Sequence, residues 1–170
     1  MAWYQAMKNE MQGLVESKTF TVLDKLPEGE KAIGSRWVLV YKSDAEGMIA
    51  KTKARLVAKG FMQREGVDYL QTSAPTPAAA TVKIVMAVAN KMSYKICHLD
   101  VAQAFTKADL DCEVFMKLPG GCDELSGKFV RLEKALYGLK QSGLLWNDLL
   151  VVKLVTVHGM EQCMTDPCVF

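Results

Sequence analysis

Only two histidines occur in the 170 residues, His98 and His158, and neither has a cysteine or a second histidine at metal-ligand spacing. The five cysteines (Cys97, Cys112, Cys122, Cys163 and Cys168) include no Cys-x-x-Cys pair. Their odd number and wide spacing point to free thiols in a reducing, intracellular compartment, and away from both a zinc site and a disulfide scaffold. The longest apolar run, residues 84–89, falls far short of the about 18 residues that a membrane helix needs. The N-terminus carries Lys8, Glu10 and Glu16 inside its apolar pattern, which is not the pattern of a secretory signal. A Gly-x-Ser-x-Gly elbow, a phosphate-binding P-loop and a dinucleotide fingerprint are all missing. Net charge is also scarce: the formal sum is +2 at pH 7, which by itself names no partner.

What is present is the material of a globular core. Half of the chain is hydrophobic and 24% is charged, a balance that excludes a disordered tail and suits one domain of ordinary size. No internal repeat or low-complexity stretch occurs. Trp3, Met7, Met11 and Leu14 follow one another at steps of four, four and three, which predicts an amphipathic helix docking by that stripe. Residues 33–62 predict a long β-hairpin. Trp37, Val38, Leu39, Val40 and Tyr41 are strand formers, Asp44-Ala45-Glu46-Gly47 carries turn chemistry, and Ala54, Leu56 and Ala58 alternate with Arg55, Val57 and Lys59.

Beyond the loop marked by Pro75 and Pro77, residues 78–91 predict a helix with Val82, Val85, Met86 and Ala89 on its buried side. Residues 94–100 predict a strand ending on Asp100, and residues 113–118 and 128–132 two more, the first closed by Pro119-Gly120-Gly121. A helix over about 143–157, apolar on most sides and stopped by Gly159, follows, and Cys168-Val169-Phe170 opens a last strand. Helices and antiparallel strands mixed without βαβ alternation predict an α+β fold.

Charge is concentrated in the hairpin. Arg36, Lys42, Lys51, Lys53, Arg55, Lys59 and Arg64 face only Asp44 and Glu46, an excess of five positive charges. Such a strip is either an anion-binding surface or a solvated strand face whose lysines block edge aggregation. Asp100, at the end of an apolar run, is placed either to hold a divalent cation or to cap the next turn. Asp109, Asp111 and Glu113 alternate with Leu110, Cys112 and Val114, and an exposed turn leading into a strand accounts for them more simply than a metal cluster. Tyr137-Gly138-Leu139-Lys140-Gln141 opens the last helix, as a phosphate-receiving helix start or an ordinary strand-to-helix turn.

These pieces, in this order, resemble one family closely: the reverse transcriptase region of copia-type LTR retrotransposon polyproteins. The resemblance runs nearly end to end. It includes Trp3, Ala6-Met7 and Glu10; Arg36-Trp37-Val38; Lys53-Ala54-Arg55-Leu56-Val57-Ala58-Lys59-Gly60-Phe61; Gln63, Gly66 and Asp68-Tyr69; Leu99-Asp100-Val101 with Ala104-Phe105; Leu136-Tyr137-Gly138-Leu139-Lys140-Gln141-Ser142; and Asp166 with Cys168-Val169. The two longest of these strings are highly specific.

The resemblance implies reverse-transcriptase-like fingers and a partial palm, an antiparallel sheet with packed helices, incomplete at the C-terminus. Residues 1–92 would hold the N-terminal helix and fingers, and 93–170 part of the palm. Arg55 with Lys51 or Lys53 would hold the incoming triphosphate, where charge-assisted bonds to phosphate are strong. Asp100 would be the catalytic, metal-binding aspartate, with Val101 beside it at the metal and nucleotide. Phe105 would pack under the sugar, and Tyr137, Gly138 and Lys140 would lie near nucleotide and template-primer. The implied partners are an RNA or DNA template-primer, deoxynucleoside triphosphates and the rest of a polyprotein, with no membrane. The implied cofactor is Mg²⁺ or Mn²⁺, and the implied location is the cytoplasm or a virus-like particle.

The sequence also departs from the family pattern. Thr76-Pro77-Ala78-Ala79-Ala80 lacks the usual Val and Arg, Thr106-Lys107-Ala108 replaces Leu-Asn-Gly, and Gly143-Leu144 replaces Pro-Arg. The family's Tyr-x-Asp-Asp hairpin has no counterpart, since no Asp-Asp occurs. The expectation is a chain inactive in polymerisation by itself. A non-catalytic nucleic-acid-binding module and a functionless transposon remnant stand as the alternatives.

Overall fold

A computed structural model describes residues 2–170. The N-terminal stripe forms helix α1 (Ala2–Glu16), which buries Met11 and Leu14. Its end is closed by a left-handed Lys18 (φ 53°), with Thr19 N–H donating to the Leu14 carbonyl and Lys18 N–H to that of Val15. That pairing satisfies carbonyls left open by the last turn.

Two short strands follow, β1 (Phe20–Leu23) and β2 (Ala32–Ile33), and then the hairpin, β3 (Ser35–Ser43) with β4 (Ile49–Ala58). The expected turn is present, with Gly47 at φ 81° and Met48 N–H donating to the Asp44 carboxylate at 2.8 Å. Ala54, Leu56 and Ala58 point into the core, as the alternation predicts. Helix α2 (Ala79–Lys91), strands β5 (Asp109–Lys117) and β6 (Phe129–Lys134), and helix α3 (Ser142–Val152) complete the chain.

The strands form a four-stranded sheet in the order β1-β6-β5-β2 and the separate two-stranded hairpin. This is a mixed α+β architecture. The larger sheet is not wholly antiparallel, because β2 runs parallel to β5. The core gathers α1 (Met11, Leu14), the hairpin base (Leu56, Ala58), the sheet (Val114, Met116, Val130, Leu132) and the 136–139 segment (Leu136, Leu139).

Several expectations are corrected. Residues 94–100 form no strand and are exposed throughout, so Asp100 does not end one. The apolar residues are there, but no strand pairs with them, and a β-strand is stable only against a partner. Helix α2 forms where expected, yet no residue of it is buried, and Val82, Val85 and Met86 are about half exposed. Helix α3 buries only Ser142, and it passes into a wider π-helical turn over Lys153–Val157 before Gly159. Residues 168–170 form no strand: a turn at 167–168 is closed by Val169 N–H on the Asp166 carbonyl, and Cys163 N–H donates to the Val169 carbonyl. Asp109, Asp111 and Glu113 lie within β5 rather than in a turn before it. None of the described helices is long and apolar enough to cross a membrane.

Candidate functional site

Two glycines decide where the site forms. A Cβ on Gly60 would fall on the Gly138 carbonyl oxygen, and one on Gly138 would fall on that of Ala58. Gly138 also takes φ 92°, which side chains disfavour. Without side chains at these points the 136–140 segment lies directly against the end of β4. Ala58 N–H then donates to the Tyr137 carbonyl at 2.8 Å. This contact sets the Tyr137 ring under the Arg55 guanidinium, 5.2 Å from the ring centroid. Phe105 meets the same ring edge-on, with centroids 4.8 Å apart at 66°. Arg55, Tyr137 and Phe105, three residues far apart in sequence, thus form one platform.

Phe105 is delivered by a short 3-10 helix, Ala104–Lys107. The buried Thr106 donates its hydroxyl to the Gln103 carbonyl at 2.9 Å. Ala135 N–H, following β6, donates to the Ala108 carbonyl.

Further cations extend along the hairpin from Arg55. In the hairpin register Lys51 stands directly opposite Lys42, a like-charge pair that opposes folding by itself. Lys53 has its pKa lowered, first by burial and then by Arg55 and Lys42, while Glu10 and Asp100 pull the other way. Among the described residues none of Lys42, Lys51, Lys53 and Arg55 forms an ion pair. Lys42, Lys51 and Lys53 line one cleft of about 320 Å³ against α1, together with Asn9 and Glu10. An arrangement of mutually repelling, unpaired cations is stabilised by an anion.

Beneath the platform lies a buried polar clamp. Gln63 and Gln141 join at 2.9 Å, and both amides donate to the Asp68 carbonyl. The Gln63 side-chain Oε1 accepts from the Lys140 backbone N–H at 2.8 Å. The Asp68 carboxylate in turn accepts from Arg64 N–H and its guanidinium, which holds the carboxyl below its ordinary range. No buried side-chain polar atom among the described residues lacks a partner. The clamp binds the 60–69 loop to the 136–142 segment, and so fixes Tyr137.

The other expected residues are placed less centrally. The Lys140 ammonium is engaged by Tyr69, 2.9 Å from its hydroxyl and 4.6 Å from its ring centroid. Asp100 and Val101 lie on the exposed 91–102 segment, and Asp100 reaches the site only through its field on Lys53. A two-ion site needs several converging carboxylates. Among the described residues no three His, Cys, Asp or Glu side chains converge to hold a metal. The residues of this chain therefore do not fit a two-metal centre on their own.

Sequence reasoning missed three members of the site. Lys42 was legible as charge, but only the hairpin register sets it opposite Lys51. Glu10 and Gln103 have no local signal. Glu10 is half-buried beside β4, and burial raises its pKa against the opposing pull of its neighbours, Lys53 and Arg55 among them.

The fold and site together define an α+β domain in which a glycine crossing builds an arginine–aromatic platform. The chain belongs to the reverse transcriptase (RNA-dependent DNA polymerase) family, whose profile matches residues 17–170. It is similar to the retrovirus-related Pol polyprotein from transposon RE2 of Arabidopsis thaliana, 37% identical over 170 residues, covering 99% of this chain and 12% of that protein. It is also similar to the corresponding polyprotein from transposon TNT 1-94 of Nicotiana tabacum, 31% identical over 169 residues, covering 98% and 12%. The transposon Ty1-DR4 Gag-Pol polyprotein of Saccharomyces cerevisiae (strain ATCC 204508 / S288c) is 29% identical over 174 residues, covering 99% and 10%. These relatives are copia-type retrotransposon polyproteins, and this chain spans about an eighth of the length of the first two. No solved structure matches the chain.

Proposed function

We propose that this chain is the nucleotide-receiving part of a retrotransposon reverse transcriptase, and that by itself it binds nucleotide without extending a primer. Arg55 and Lys53, with Lys51 and Lys42 behind them, hold the triphosphate of a deoxynucleoside triphosphate. Phe105 and Tyr137 receive its sugar and base side, with Gly138 allowing the close approach. Lys140, held by Tyr69, faces the template-primer. The fingers are residues 1–92 and the partial palm 93–170. The observation that carries the reading is the Arg55–Tyr137–Phe105 platform flanked by unpaired Lys53. The family uses divalent metals. Asp100, with Val101 beside it, offers one ligand position of such a site, which would need further carboxylates to hold two ions. The test is primer extension on a primed RNA template with Mg²⁺ or Mn²⁺. No extension is expected, and extension abolished by Asp100→Asn would contradict the reading.

A second reading is favoured by Lys42 and Lys51, which carry the positive charge along the hairpin away from the platform. The hairpin then binds nucleic-acid backbone without chemistry. Filter-binding of primed template should weaken steeply with salt, and further on Lys51→Ala. Binding that ignores salt would remove this reading.

A further inference from the structure

Three features that the catalytic motifs do not explain converge on one point. Gly13 sits within α1, where glycine weakens a helix by about 1 kcal/mol relative to alanine. Gln103 takes a left-handed conformation (φ 51°, ψ 46°) immediately before the turn that carries Phe105. A Cβ built on Gly13 would lie 2.9 Å from Gln103 Nε2 and 3.4 Å from its Oε1. The Gln103 amide thus lies across α1 at the one place where the helix has no side chain.

We propose that Gly13 forms a seat on α1 for the Gln103 amide, and that Gln103 is a positioning residue that aims Phe105 at Tyr137. This rests on the reading of Phe105 and Tyr137 as a nucleotide platform. The turn is already fixed on its far side by Thr106 and Ala108. Its near side joins the exposed 91–102 segment, which supplies no packing. The seat on α1 provides the missing anchor. It accounts for a glycine inside a helix and for a non-glycine residue in the left-handed region.

The test uses the whole chain and a double-mutant cycle of Gly13→Ala and Gln103→Ala. Alanine at position 13 favours the helix, and the displaced atom is the end of a flexible side chain. A purely structural role therefore predicts an unchanged or raised melting temperature and nothing more. The proposal predicts that Gly13→Ala also moves the NMR ring signals of Phe105 and Tyr137, and weakens a fluorescent deoxynucleoside triphosphate about fivefold. Gln103→Ala should do the same, and the double variant no more than either single one. Unmoved rings in Gly13→Ala, or effects that simply add, would overturn the seat. Moved rings together with no nucleotide binding by any variant would sustain the seat and overturn the platform reading instead.

Discussion

Helices α1 and α2 are sequence twins with opposite fates. Each carries an apolar stripe at helical spacing, yet α1 buries Met11 and Leu14 while α2 buries nothing. The difference lies in the partners. Helix α1 lies on the hairpin base and the sheet, and its side chains join Leu56, Met116 and Leu136 in one core. Helix α2 is tied at its start by Asp166, whose carboxylate accepts from Ala78 N–H at 3.1 Å, but no described layer covers its stripe. A periodic pattern states which face of a helix is apolar. It does not state what will cover that face.

The largest expected effect breaks the comparison at its packed side. Leu56→Ala should lower unfolding free energy by about 2–5 kcal/mol, read from denaturant melts, because Leu56 is fully buried between α1 and the sheet. A loss under 1 kcal/mol would mean that α1 is not packed as described. Next comes the clamp. Gln141→Leu leaves the Gln63 amide without its side-chain partner in a buried setting, and should cost about 1–3 kcal/mol in the same melts.

The pH response separates two carboxylates of opposite sign. Asp68 has a folded pKa below its unfolded value, so its contribution is full above the ordinary carboxylate range. It is lost as pH falls through about 4 toward the folded value. Glu10 has a raised folded pKa, so falling pH favours the fold at that residue. Asp68→Asn should therefore be destabilising at pH 7, with the gap to wild type shrinking by pH 3. A gap that widens on acidification would contradict the assignment. The smallest effect belongs to α2. Val85→Ser should change stability by no more than about 0.5 kcal/mol, since the side chain is already half exposed. A large loss would show that the stripe is covered.

Much of the packed half was legible. The hairpin was readable in the alternation of Ala54, Leu56 and Ala58 with Arg55 and Val57, and its turn in Asp44 and Gly47, though not the pairing register. The platform residues Arg55, Phe105 and Tyr137 were named through resemblance, but nothing local in the chain says that they touch. That contact depends on Gly60 and Gly138 crossing, a meeting of segments some 78 positions apart. Strand β1 was missed although Phe20-Thr21-Val22-Leu23 are strand formers. Strand β2, two residues long, carries no pattern to read. The strand expected over 94–100 failed for the same reason as the α2 stripe. Propensity was present and a neighbour was not.

The account stands or falls on whether the crossing of β4 with the 137–138 segment receives a triphosphate. The most direct measurement is titration of the whole chain with a fluorescent deoxynucleoside triphosphate, comparing wild type, Arg55→Ala and Arg131→Ala. Arg131 is a surface arginine already paired with Glu133 at 2.8 Å, and serves as the charge-matched control. The account predicts that Arg55→Ala weakens binding about tenfold or more, while Arg131→Ala leaves it unchanged. Equal weakening by both, or none by Arg55→Ala, would contradict it.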